Sequence, residues 1–152
     1  MKKIRVAIIG QGRSGRDIHA NSLSQMKEQY EIVAVADMLE ERLERAKKEL
    51  NCDVYRDYKD LFKRNDRGFH VLSEKPLART AHEVDILIDK AMKTGKLLAI
   101  FQQSRYAPAY RQVQENIKSG VIGQVVQVNI AYNNFARRSW IARIRLEMPR
   151  TT

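Results

Sequence analysis

Cysteine, proline and aromatic residues are scarce in this chain of 152 residues, which has one Cys, three Pro, one Trp and 7% aromatics. A single thiol, Cys52, cannot form an internal disulfide, and no ligand-type residue stands at metal-binding spacing from it. A disulfide-stapled scaffold and a cysteine-based metal centre are therefore excluded, and Cys52 reads as an ordinary core or surface residue. No apolar run reaches the ~20 residues that a bilayer span needs, so no membrane partner is expected. The opening Met1-Lys2-Lys3 leads straight into Ile4-Arg5-Val6-Ala7-Ile8-Ile9, too short for a signal-peptide core, and a cytoplasmic address follows. What is present is 43% hydrophobic and 30% charged residues, the balance of a folded domain with its own core.

The net charge of +10 raises the question of nucleic acid, and its distribution answers it. Arg137, Arg138, Arg143, Arg145 and Arg150 crowd the last stretch against Glu147 alone. Elsewhere bases and acids interleave, as in Glu40-Glu41-Arg42-Leu43-Glu44-Arg45, which makes a solvated helix face and not a phosphate-binding stripe. No nucleic-acid partner is expected.

Hydrophobic periodicity gives an alternation of strand and helix. Residues 3–9 form a β-branched run closed by Gly10, residues 13–26 read as a helix, and residues 32–36 are a second buried strand. From Leu39, apolar residues recur at helical spacing through Leu43, Ala46 and Leu50; residues 53–55 make a short strand and residues 58–63 a short helix. Residues 69–73 are strand-like, with His70 inside. Thr80-Ala81-His82-Glu83 is a capping box opening a helix whose stripe is Val84, Leu87, Ile88, Ala91 and Met92, and Gly95 ends it. Residues 97–101 are another strand, and Pro108 opens a helix that carries Tyr110, Val113 and Ile117 and finishes at Gly120. This order predicts an α/β fold with a doubly wound parallel sheet. Residues 125–130 alone show period two, the mark of a strand with one wet face and the start of a different, α+β domain.

Gly10-Gln11-Gly12-Arg13-Ser14-Gly15 is G-x-G-x-x-G between a strand and a helix, and Asp37 follows at the end of the next strand. Gly10 permits the tight turn, Gly12 lacks the Cβ that would hold a pyrophosphate off the backbone, and Gly15 lets helix and strand approach. The helix start, with Arg13 and Ser14, offers free N–H groups to phosphates. Asp37 can accept from the adenosine ribose hydroxyls and would repel a 2′-phosphate, which favours NAD, while nearby Arg42 leaves NADP open.

With Ser73-Glu74-Lys75-Pro76-Leu77 downstream, and Tyr58-Lys59-Asp60-Leu61-Phe62 and Ser104-Arg105-Tyr106-Ala107-Pro108-Ala109-Tyr110 on either side, residues 3–138 resemble the Gfo/Idh/MocA oxidoreductases. The resemblance implies a Rossmann fold, hydride transfer to or from a sugar, cyclitol or related polyol, and a lysine beside the nicotinamide, matched by Lys75. Glu74 would orient that lysine or touch the cofactor, Pro76 would fix the turn, and Gln103 and Arg105 match positions near the nicotinamide and the domain junction.

The chain also departs from the pattern. Between Asp66 and Phe69 the family supplies a further strand and helix, on the order of 25 residues, where this chain has Arg67 and Gly68. The sheet is thus expected to lack one strand-helix unit, and closing up would give strand order 3-2-1-5-6 with residues 69–73 beside the first strand. The domains expected are 1–120 for NAD(P) binding, 121–138 as the first strand of a truncated substrate or dimerisation domain, and 139–152 as an unrelated or frame-shifted basic tail. The family's proton-transfer histidine belongs to the larger domain, and His19, His70 and His82 do not replace it. A non-catalytic dinucleotide-binding fragment or partner-dependent module is the alternative, with self-association through an exposed strand edge.

Overall fold

The computed structural model describes residues 2–63, 68–131 and 133. Two compact units divide the chain, Met1–Phe101 and Gln102–Thr152.

In the first unit, strands β1 (Ile4–Ile9), β2 (Tyr30–Ala36) and β3 (Asp53–Tyr55) form a parallel sheet with β2 in the middle. Their carboxyl ends are level, Ile9 opposite Ala36 and Ala36 opposite Tyr55. The ladder runs one residue further on each side, Gly10 N–H donating to Ala36 O at 2.7 Å and Asp37 N–H to Tyr55 O at 3.1 Å. Two loops that carry polar residues thereby leave the sheet side by side.

Helices cover both faces of this sheet, as its continuous apolar strands require. Helix α1 is π-wound over Ser14–Ala20 and continues as α-helix over Asn21–Gln25; α2 spans Glu40–Leu50 and α3 Tyr58–Phe62. Alternation along β2 sends Val35 to one side, where it is buried with Ile8, Ala20, Leu43 and Ala46. Leu23, Leu50 and Cys52 pack against that cluster, so Cys52 is a core-lining residue. On the other side Ala34 and Ala36 are buried with Leu61 of α3, and Phe69 packs against them. Helix α2 has acids in its first turn (Glu40, Glu41), lysines in its last (Lys47, Lys48) and a left-handed Asn51 as its stop, each favourable to the helix dipole or its end.

A second sheet pairs β4 (Val71–Ser73) in parallel with β5 (Leu98–Ile100), connected by α4 (Ala81–Thr94). The expected capping box is formed: Glu83 N–H donates to Thr80 Oγ1 at 3.2 Å and Thr80 N–H to Glu83 Oε2 at 3.1 Å. Gly95 ends α4 at φ 63°.

Three expectations are corrected here. The order 3-2-1-5-6 is not formed: β4 pairs with β5 and not with β1, and each of β1 and β4 keeps an open edge. The reason lies in side chains that fix β4 and β5 elsewhere. His19 of α1 bonds Glu74 and meets the Phe101 ring edge-on at 4.8 Å, while Phe69 contacts Phe62. A strand-wide shift towards β1 would break all three contacts. His70 lies outside β4, because its Nδ1 accepts the Leu97 N–H at 3.0 Å. Finally, the α4 stripe is only partly covered: Val84 and Ala91 are half-buried, whereas Ile88 and Met92 are exposed, as are Leu72 and Ile100.

The described part of the second unit holds a 3-10 turn, Gln103–Tyr106, and helix α5, Pro108–Lys118, with its proline in the first turn. Tyr110, Val113 and Ile117 stay exposed. Residues 125–130 form no strand, because their period-two pattern finds no partner edge among the described residues. Residues 134–152, including the basic tail, lie outside the described residues. Among those described, no helix is long and apolar enough to cross a membrane.

Burial is thus concentrated around β1, β2 and β3. Native-state hydrogen exchange should show amides such as Val35 exchanging at least ~100-fold more slowly than Leu72 and Ala99. Equal protection of the two sheets would contradict this division.

Candidate nucleotide site

Gly10 leaves β1 at φ 89°, a backbone conformation that costs glycine nothing and other residues strain. A Cβ on Gly15 would overlap the Gly10 carbonyl oxygen, so the helix start lies against the strand end as a third glycine requires. Gly12 differs. A Cβ there would meet only the Arg42 side chain, with Nη1 at an ordinary contact distance of 3.6 Å. The backbone at the middle glycine is thus screened by a single flexible side chain, and the helix begins directly after it. Ser14 opens the π-wound part, Arg13 precedes it in helical conformation and is exposed, and Arg16 N–H bonds Gly12 O at 2.9 Å.

Asp37 faces this loop with its side chain only 6% exposed. Its Oδ2 accepts the Gln11 N–H at 2.6 Å and lies 3.4 Å from Arg42 Nη1, and its Oδ1 accepts the Leu39 N–H at 3.0 Å. Burial pushes the carboxyl up. The two backbone N–H groups and the guanidinium outweigh that and hold it below the usual carboxylate range. Arg45 of α2 donates through Nη2 to Gln11 O at 2.9 Å. Periodicity did not reveal Gln11, Leu39 N–H and Arg45 as parts of this site. The one available signal was that Arg42 and Arg45, three apart on a helix, share a face.

Two buried donors, Gln11 Nε2 and Arg45 Nε, have no partner among the described residues. A glycine loop at a helix start, donors without acceptors and an anchored carboxylate fit a ligand with a diphosphate and a ribose diol. Among the described residues no cluster of His, Cys, Asp and Glu could hold a metal ion.

The Glu-Lys-Pro segment follows β4 directly. Glu74 Oε1 lies 2.8 Å from His19 Nε2, which ties this loop to α1, the helix that the glycine loop opens. Lys75 is exposed and the Lys75–Pro76 peptide is cis. Gln103 and Arg105 are exposed on the 3-10 turn of the other unit. The structure thus brings together Gly10, Gly12, Arg13, Ser14, Gly15 and Asp37, and adds Glu74 through His19.

Fold and site define a parallel α/β domain of the dinucleotide-binding, Rossmann class. Residues 4–66 match the model of an oxidoreductase family with an NAD-binding Rossmann fold, GFO_IDH_MocA. Over this stretch the chain is similar to the Gfo/Idh/MocA oxidoreductases. It is 30% identical to the D-glucoside 3-dehydrogenase of Escherichia coli (strain K12), over 80% of this chain and 41% of that protein. The crystal structure of myo-inositol 2-dehydrogenase from Lactobacillus plantarum is similar, with 27% identity and a TM-score of 0.75 over 82% of this chain and 44% of that one. So is scyllo-inositol dehydrogenase from Lactobacillus casei, solved with bound NAD(H) and scyllo-inositol, at 25% identity and a TM-score of 0.71, covering 80% of this chain and 43% of that one. The chain spans less than half the length of these relatives. The glucoside dehydrogenase alignment runs over 145 positions yet uses 80% of this chain, so roughly twenty positions have no residue here, close to the size of a strand-helix unit.

A depressed carboxyl pKa is also a statement about stability. Asp37 contributes fully above its unfolded value of about 3.9, and the contribution fades as pH falls through the lower folded value. Asp37→Asn should therefore destabilise the protein at pH 6 in urea unfolding, and the gap to wild type should shrink below about pH 4. A gap that is constant, or widens in acid, would contradict the assignment.

Proposed function

We propose that this chain is the nucleotide-binding portion of an NAD-dependent dehydrogenase acting on a sugar, cyclitol or related polyol. The observation that carries the reading is the anchored Asp37 carboxylate, bonded to the Gln11 N–H inside the glycine loop. In this reading the diphosphate lies over Gly12 against the N–H groups at the start of α1, near Arg13 and Ser14, and the ribose diol donates to Asp37. When bound, the nicotinamide supplies the hydride acceptor or donor. The substrate hydroxyl loses its proton as its carbon gives up hydride, and Lys75 is assigned, on the family pattern, to relay that proton or to stabilise the alkoxide oxygen. Glu74, held by His19, positions the lysine. Gln103 and Arg105 are assigned to the nicotinamide end on the family pattern alone.

The same reading takes residues 1–120 as the nucleotide domain, 121–138 as the start of a substrate or dimerisation domain, and 139–152 as a separate tail. The apolar, exposed Val126, Val128 and Ile130 support association through strand pairing, with a second copy as partner. The lone Cys52 thiol suits a reducing compartment, and the cytoplasm is the location proposed. Binding without turnover is the second reading. It is favoured by the open edge of β1, beside which a complete sheet would place another strand end close to the cofactor.

Titration of the purified chain with NADH, read by nucleotide fluorescence, should show saturable binding, and Gly12→Val should weaken it at least ~10-fold by placing a side chain where the diphosphate lies. Unchanged affinity in that variant would overturn the site. Turnover with inositols or glucosides and NAD, lost in Lys75→Ala, separates the first reading from the second.

A further inference from the structure

Helix α1 is held at two points. At its start Arg16 N–H bonds Gly12 O at 2.9 Å and Gly15 lies against the Gly10 carbonyl, so the first turn moves with the glycine loop. Further along, Ala20 is buried with Ile8 and Val35 and moves with the sheet. Between these points the winding is π, and Asn21 N–H reaches back five residues to Arg16 O. Bonds of that span put about one more residue into each turn than an α-helix has, and runs of them are rare because α-winding competes. The segment therefore has two available windings, and each sets His19 at a different angle around the helix axis.

In the observed winding His19 faces the end of the β4–β5 sheet. Among the described residues no strand stands between them, since β1 keeps an open edge. The imidazole donates through Nε2 to Glu74 Oε1 at 2.8 Å, and its ring meets Phe101 edge-on at 4.8 Å. Both targets belong to one bonded group: Phe101 N–H donates to Ser73 O at 2.8 Å, and Ser73 Oγ to Glu74 O at 3.1 Å. The side chains of His19 and Glu74 are both partly buried, so salt screens their contact less than it would at a free surface. Lys75 is next in the chain and exposed, and burial does not fix it.

We propose, resting on the dinucleotide reading above, that His19 is a positioning residue that carries occupancy of the glycine loop to the loop bearing Lys75. A ligand biases two windings only by binding one of them better. The N–H groups of the first turn point differently in the two, and a diphosphate bonded to them supplies that preference. The winding between Gly15 and Ala20 then resets His19, Glu74 follows through its hydrogen bond, and Lys75 moves with Glu74. Nucleotide binding on one sheet is thereby linked to the lysine on the other.

The test maps amide chemical shifts of the full chain titrated with ADP, which has the diphosphate and one ribose but no nicotinamide. In wild type the Glu74 and Lys75 amides should shift along with Gly12 and saturate with the same dissociation constant. His19→Ala should keep the Gly12 response and lose that of Lys75. His19→Gln, whose side-chain amide donates but carries no ring, should retain it. Glu74→Ala leaves α1 unaltered and should also lose the Lys75 response, which keeps the test open if His19→Ala does not fold. A Lys75 response that survives in either alanine variant overturns the inference. So does its loss in His19→Gln, which would make the Phe101 ring contact responsible. If Gly12 responds in wild type and Glu74 and Lys75 do not, this inference falls and the dinucleotide site stands. If ADP shifts no amide of the glycine loop, both fall.

Discussion

One charge-assisted hydrogen bond organises the functional end of this molecule, that from the Gln11 N–H to the Asp37 carboxylate at 2.6 Å. A carboxylate that is 6% exposed is costly unless bonded, and the protein meets that cost with donors from the glycine loop and from the start of α2. Hydrogen bonds to ionised groups contribute roughly 1.5–3 kcal/mol each. The loop cannot drift from the carboxyl end of β2 without giving one up. Level strand ends make the bond geometrically available, because β1 and β2 finish with Ile9 opposite Ala36.

The same sheet explains where the fold is strong and where it is open. Val35, with no exposed surface, and its neighbours on the two faces of β2 knit α1, α2 and α3 to β1, β2 and β3. Among the described residues the β4–β5 pair has no comparable core, and it is located by individual contacts, among them His19 with Glu74 and Phe69 with Phe62. A doubly wound sheet that lacks an internal strand can keep its remaining strands in place when flanking helices supply such contacts. The likeness to complete inositol dehydrogenases at TM-scores of 0.75 and 0.71 agrees with that arrangement.

Much of this was legible in the residues. The alternation of strand and helix, the buried second strand, the Thr80–Glu83 cap and the stop at Gly95 depend on local chemistry and short spacings, and each is found. Strand order was not legible, since it depends on which edge β4 meets, and that is settled by His19, Phe69 and Phe101 across long sequence separations. Residues 125–130 carry the pattern of a strand, but a strand exists only with a partner. Within the proposed site, Gly10 and Gly15 were readable because their conformation and close approach are set by backbone shape. Gln11, Leu39 and Arg45 act through main-chain groups or burial, which no residue pattern announces.

The central claim is that the loop from Gly10 to Gly15 and the segment from Asp37 to Leu39 together receive a dinucleotide. Amide chemical-shift mapping with ADP-ribose, the portion of NAD without its nicotinamide, addresses it most directly. The account predicts the largest changes at Gln11, Gly12, Arg13, Ser14 and Leu39, with Leu72 and Ala99 little affected. Saturable changes confined to the β4–β5 sheet, or none in the glycine loop, would contradict it.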